Sequence, residues 1–286
     1  MTKELKAELS LLAVTVVWGA SFPIMSIALK YIQPYSLIAL RYFIAALLLG
    51  IIINKKIMTA DKKTIEAGIL IGISLFLGCT LQVMGLKFTT PSKSGFITGL
   101  NVVFVPLFLA VIYKKLPDVK TILGVILSVA GLGIMSINGS TFINKGDLMT
   151  LFSAVAFAIQ IILVDRLVKQ DMNVLVLSFI QFFTVGVLSV MPAAVFENFN
   201  IEINLSSVSA IIFLSVFCTI IAYYVQNKMQ PLTNPVHAAV IFLAEPVFAA
   251  LFSLLIGDKL TGKTFIGCLL ILAGMVIINI KKGEFN

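Results

Sequence analysis

Long apolar runs broken by short clusters of charge, proline and glycine dominate the chain from end to end. A bilayer core about 30 Å thick needs about 20 apolar residues in helical form. Ten such segments follow one another, at 9–30, 34–54, 65–87, 91–113, 119–138, 146–168, 172–196, 206–227, 233–256 and 262–280. The connections are short and several carry helix breakers: Gln33-Pro34, Thr90-Pro91, Leu116-Pro117, Pro231 and Gly257-Asp258. Short loops force neighbouring helices to run antiparallel. The pattern therefore predicts an all-α membrane protein of ten transmembrane helices, with no polar stretch long enough to hold a soluble domain.

The chain also resembles itself. A shift of 140 residues lays Pro91 over Pro231, Pro106 over Pro246 and LRYF (Leu40 to Phe43) over IQFF (Ile180 to Phe183). With three more residues inserted near Ile256, KTILGVILSVAG lies over KTFIGCLLILAG. Two repeats follow, residues 1–140 and 141–286, with five helices in each. Five is odd, so the second repeat enters the membrane upside down relative to the first. Inverted repeats are a common architecture among secondary transporters, where exchanging the roles of the two halves gives inward-open and outward-open states.

Composition supports a membrane protein and limits the chemistry. Of the 286 residues 59% are hydrophobic and 12% charged, about half the charge of a soluble domain. The net charge of +8 raises the question of nucleic acid, but topology accounts for it. With the N-terminus inside, 14 Lys and Arg fall on the cytoplasmic side, 6 on the outer side, and Arg41 lies within a span. That bias predicts both termini in the cytoplasm of a cell membrane. The first apolar run is too long for a signal peptide and reads as a retained span. Cys79, Cys218 and Cys268 each sit in an apolar run, which argues against a disulfide framework. No phosphate-binding loop, dinucleotide motif, HExxH pair or nucleophile elbow occurs, so an enzyme is not expected and any active transport would draw on a gradient.

Ionisable groups at mid-membrane are costly and tend to be functional. Glu245 is the clearest, followed by Pro246, which removes a helix hydrogen bond. Such a carboxylate beside broken backbone suits a cation, a coupling proton or a substrate amine; the alternative is a structural bond between helices. Its repeat partner is Val105. His237, the sole histidine, lies two turns away as a relay or as a wetted group near the cytoplasmic mouth. With no Cys or His ligand pattern around it, no metal is expected. Arg41 is suited either to a substrate carboxylate or to snorkelling toward headgroups. Gln82, Asn101, Gln160, Gln226, Tyr223 and Asn227 place amides and a phenol within the spans, as cavity lining or as helix–helix contacts. Trp18, the sole tryptophan, sits mid-span beside Gly19, which permits close helix approach. Pro23, Pro106 and Pro246 are the expected points of helix breakage.

WGASFP, RYFIAALLL, GFITGLNVVFVPLFLAVIYKK and LAEPVFAALFSLLIGDKLT, followed by GCLLILAGMVI, resemble EamA-type members of the drug/metabolite transporter superfamily over nearly the whole chain. Many relatives end the ninth-span motif with Gly-Glu where this chain has Gly257-Asp258, a change that keeps the acid. The resemblance implies two tandem units, a central cavity and alternating access without a cofactor. It implies export of amino acids or related metabolites, with sugars, nucleotide sugars and other small solutes as the alternative. A lipid-directed membrane enzyme or a non-transporting scaffold fits the residues less well. Oligomeric state is silent, because no GxxxG stripe stands out.

Overall fold

Short polar side chains mark where the helices begin. Thr2, Asp61, Asn144, Asn173, Asn204 and Asn234 each accept a hydrogen bond from a backbone N–H in the first turn, satisfying donors that a helix start leaves open. At Asp61, bonds from the Thr64 hydroxyl (2.6 Å) and the Thr64 N–H (2.9 Å) hold the exposed carboxyl below its usual range.

The structure, a computed structural model, describes residues 2–57, 59–89, 91–114, 116–136, 144–197, 201–255 and 261–279. Its helices are α1 (Lys3–Ala28), α2 (Pro34–Ile57), α3 (Lys62–Leu86), α4 (Pro91–Gly99), α5 (Asn101–Tyr113), α6 (Val119–Ser136), α7 (Lys145–Leu167), α8 (Val174–Phe196), α9 (Leu205–Ser215), α10 (Ala222–Met229), α11 (Pro235–Phe242), α12 (Ala244–Leu255) and α13 (Gly262–Asn279). A π-helical turn, Val216–Ile221, joins α9 to α10, and a 3-10 turn, Gln230–Leu232, follows α10. The seam expected at residues 140 and 141 and the Gly257-Asp258 pair lie outside the described residues.

This is an all-helical, multi-pass membrane protein. Among the described residues seven stretches are long and apolar enough to cross a bilayer. Three shorter apolar stretches, Val119–Ile134, Pro235–Ala249 and Gly262–Ile278, occupy the fifth, ninth and tenth expected segments. These three fall short of the 20-residue length assigned from the sequence. Segment 119–138 runs into residues 137–143, segment 233–256 into 256–260 and segment 262–280 into 280–286, all outside the description.

Three internal features differ from uniform spans. The fourth segment is split at Leu100 and the ninth at Leu243, both with αR backbone. The eighth is widened by the π turn. Pro246 lies in the first turn of α12, where its missing N–H costs nothing, so the expected break falls just ahead of it. Pro106 lies inside α5, six residues beyond the break at Leu100. Pro23 breaks nothing: α1 continues through it to Ala28.

Helix starts recur along the chain at two spacings. Pro34 and Val174, which open α2 and α8, are 140 residues apart. The N-caps Asp61 and Asn204 are 143 apart, as are the breaks Leu100 and Leu243 and the starts Val119 and Gly262. The spacing thus changes from 140 to 143 residues between α8 and α9, whereas the sequence alignment inserted its three residues near Ile256. At the 143-residue spacing Glu245 aligns with Val102, and at the 140-residue spacing with Val105.

Packing follows a reciprocal pattern. α2 lies along α8, and α6 along α13. α1 packs on α9, α10, α11 and α12, while α7 packs on α3, α4 and α5. The α6–α13 pair is held by small residues after all. A Cβ on Gly274 would meet Ser128 Oγ and, at 2.6 Å, the Gly124 carbonyl; one on Gly131 would meet the Gly267 carbonyl at 2.6 Å. This stripe is spent inside the chain, where close backbone approach drives helix association in lipid.

At the end of the bundle near residues 31–36 a clasp joins the start of α2 to the end of α8. The Glu197 carboxylate accepts from Tyr35 N–H (2.9 Å), Ser36 N–H (2.8 Å) and the Ser36 hydroxyl (2.9 Å). An acid at the N-terminus of α2 is also favoured by the helix dipole. Ile32 and Ile201 form an antiparallel bridge beside it, and Glu202 N–H donates to the Tyr31 carbonyl.

Candidate functional site

The breaks, the π turn and a close helix contact build one internal cavity. On α1, Gly19 lies against the backbone of α12, where an added Cβ would sit 2.9 Å from the Glu245 carbonyl and from Ala249 N. That approach sets Trp18 of α1 and Glu245 of α12 on the same space. The cavity also receives Arg41 from α2, Gln82 from α3, Asn101 from the start of α5, Gln160 from α7 and Tyr223 from α10. It offers about 60 Å³ to the centres of water-sized spheres, room for a few waters.

One side is an aromatic wall. Trp18 lies 5.2 Å from Tyr223 and 5.3 Å, edge-on, from Phe242 between ring centroids, spacings at which aromatic pairs attract. The Trp18 indole N–H donates to the Cys218 carbonyl at 3.1 Å. Trp18 remains half-buried, with part of its surface in the cavity. Trp18→Ala is expected to weaken substrate binding by roughly 1–3 kcal/mol, an order suggested by base–aromatic stacking. Titration calorimetry on purified protein checks this; identical isotherms for the variant and the parent would return Trp18 to simple packing.

Arg41 does not snorkel. It is 7% exposed and turns inward, its Nε donating to Thr219 Oγ1 at 2.6 Å and its Nη2 to the Cys218 carbonyl at 3.1 Å. Both acceptors belong to the π turn. In that turn the Ala222 N–H bonds Phe217 O and Thr219 O, and the Cys218 carbonyl is aimed at two side-chain donors. Such π turns cluster at functional sites. The third nitrogen, Nη1, reaches only Met25 Sδ at 3.9 Å. Neither Arg41 nor Glu245 joins an ion pair among the described residues. The cavity thus holds a fixed positive group and a carboxylate with no bonded partner among the described residues.

Amides line the rest. Gln82 donates to Thr98 Oγ1 at 3.2 Å. The Asn101 Oδ1 is buried without a partner, which leaves one acceptor for a ligand donor or a water. Gln160 and Gln226 exchange bonds of 3.4 and 3.2 Å, Gln226 also donates to Gln230 Oε1 at 2.9 Å, and Gln230 donates to the Ile161 carbonyl at 2.7 Å. This amide chain leads from the cavity toward the end that carries the N-terminus.

Two expected lining residues lie elsewhere. His237 sits in the first turn of α11, eight residues and about 12 Å along the chain axis from Glu245. It lines a separate pocket with Asp118 and Thr121, and its Nδ1 is 3.4 Å from Glu8 Oε1. Glu4, Glu8 and His237 bring ligand-type atoms together, a grouping the sequence did not suggest because the acids come from α1. Asn227 turns away to bond Ser178 (3.0 Å) and Gln181 (2.7 Å) on α8. Conversely, Cys79, Thr98, Phe157, Phe242 and Gln230 joined no sequence-derived set. Gln230 follows Gln226 by one helical turn, a spacing visible in the sequence.

A polytopic helical bundle with a buried, charged and amide-lined cavity at its helix breaks has the architecture of a membrane transporter, and the family of the chain makes it one rather than an enzyme. The EamA-like transporter family matches the chain over residues 5–137 and 144–280, and the chain belongs to that family. An uncharacterized transporter of Archaeoglobus fulgidus is 34% identical over 280 residues, 98% of this chain and 87% of that protein. A "probable amino-acid metabolite efflux pump" of Salmonella typhimurium is 23% identical, covering 93% of this chain and 92% of the pump. Its Escherichia coli counterpart of the same name is 22% identical over 93% and 92%. A solved crystal structure has the same fold, with a TM-score of 0.81, 19% identity and 97% of both chains covered.

Proposed function

We propose that the chain is a secondary transporter that exports amino acids or related small metabolites by alternating access through the cavity around Glu245 and Arg41. The carrying observation is that both charged groups line one cavity without pairing with each other. A zwitterion satisfies both at once: its carboxylate takes the open donors of Arg41 and its ammonium the carboxylate of Glu245. Charge-assisted bonds of this kind are stronger than neutral ones. The name carried by the distant Salmonella relative agrees with this substrate class.

The ten apolar stretches are read as ten crossings in two inverted halves, residues 1–140 and 141–286. The reciprocal packing supports it: exchanging first-half helices with their second-half counterparts turns the contacts of α1 on α9–α10, α11 and α12 into those of α7 on α3, α4 and α5. The pairs α2–α8 and α6–α13 are their own images. Two such halves rocking about the cavity would open it to each face in turn. The lysine distribution supports both termini in the cytoplasm, and Glu245 is read as the site of a coupling proton.

Counterflow in proteoliposomes tests the function. Vesicles loaded with unlabelled amino acid are expected to accumulate labelled amino acid transiently, and no accumulation across the proteinogenic set would reject the substrate class. For orientation, a cysteine placed at exposed Lys62 is expected to resist impermeant maleimide applied to intact cells. Ready external labelling would invert the topology.

A further inference from the structure

We infer that the end of the bundle carrying the N-terminus holds a binding site for the headgroup of an anionic phospholipid, distinct from the central cavity. A pocket of about 510 Å³ there is lined by Lys3 and Lys6 of α1, Lys169 of the α7–α8 turn and Lys228 of α10. Four cations from three parts of the chain converge on one space. All four side chains are exposed, and no ion pair occupies any of them among the described residues. Lys228 donates only to the neutral Tyr224 hydroxyl, at 3.2 Å. The neighbouring acids in sequence, Glu4 and Asp171, do not line the pocket.

Backbone adds to the same sign. α1 and α8 both start at this end, and Asn173, the N-cap of α8, is part of the lining. The starts of helices of 26 and 23 residues each present a partial positive charge.

Depth and shape select a lipid over a free anion. Every lysine sits in the first turn, the last turn or the turn just outside a membrane-crossing stretch, the level of phospholipid headgroups. Beneath them Val174, Leu175, Met229 and Leu232 give the pocket an apolar side suited to glycerol and the first acyl carbons. Basic pockets between transmembrane helices, with an apolar side facing lipid, take anionic headgroups. Soluble phosphate gains nothing from the apolar side. The pocket also touches the 3-10 turn at Pro231 and Leu232, next to Gln230 of the amide chain, so an occupied site would brace the approach to the cavity.

Thermal unfolding of the purified full chain in detergent, titrated with phosphatidylglycerol, with phosphatidylcholine and with inorganic phosphate, tests the site. Phosphatidylglycerol is expected to raise the melting temperature in a saturable way while the other two do not. Lys169→Gln with Lys228→Gln is expected to weaken the phosphatidylglycerol response roughly 25-fold, about fivefold per lysine at a surface. Lys62→Gln with Lys63→Gln, exposed lysines at the start of α3, is the control and is expected to leave the response unchanged. Equal responses to the two lipids, an equal response to inorganic phosphate, or an equal loss in the control would each overturn the inference.

Discussion

Glu245→Gln is expected to lower gradient-driven transport roughly 10- to 150-fold, the range set by removing one hydrogen bond to a charged group. The amide keeps the shape of the side chain and its place in the first turn of α12, so folding and membrane insertion are expected to hold. What disappears is the negative charge across the cavity from Arg41, and with it both the partner for a substrate ammonium and the acceptor for a coupling proton. The two roles separate experimentally. If Glu245 only carries the proton, the Glu245→Gln variant still exchanges substrate in counterflow but no longer responds to an imposed pH gradient. If it also binds the amine, counterflow falls as well. Unchanged pH-driven uptake would reject the coupling role.

Gly274→Leu is expected to destabilise the fold by about 3 kcal/mol or more, since a side chain forced into a packed contact strains the structure. Here the neighbours are the Gly124 carbonyl and Ser128 on α6, the former being backbone that cannot rotate away. The helices must separate, and α6 with α13 is among the most extensively packed pairs in the molecule. A drop of about 6 °C or more in the melting temperature is the expected reading. Gly133→Leu is the matched control, because nothing lies within 4 Å of a Cβ there. Equal stability of the two variants would contradict the packing of α6 on α13.

The sequence made the membrane class and much of the cavity legible, for one physical reason. Against a background of Leu, Ile, Val and Phe, a charge or amide at mid-span has few tolerable environments. Trp18, Arg41, Gln82, Asn101, Gln160, Tyr223 and Glu245 stood out on that ground, and the structure gathers them around one space. Whether they bind substrate is the question the Glu245 and Trp18 variants address. His237 satisfied the same criterion yet lies outside the cavity, because its partner Glu8 comes from a helix 229 residues earlier.

Other features had no local signature. The π turn at Val216–Ile221 carries no proline or glycine, and its effect, aiming the Cys218 carbonyl at Trp18 and Arg41, is purely three-dimensional. The break at Leu100 is an exception: Gly99 stands beside it, while Pro106 drew attention six residues too late. The prolines align at 140 residues, while the caps Asp61 and Asn204, which fix where α3 and α9 begin, lie 143 apart.

Solvent access to the cavity from each face in turn tests the transport mechanism most directly. Ser21 lines the cavity on α1 and is 5% exposed, and Ser21→Cys is nearly isosteric. In a chain with Cys79, Cys218 and Cys268 replaced by Ala, reconstituted in one orientation, an impermeant thiol reagent is added to one face at a time. Alternating access requires labelling from one face only under a given gradient, from the opposite face when the gradient is reversed, and protection by saturating amino acid. Labelling from both faces at once, or from neither under any gradient, would contradict it.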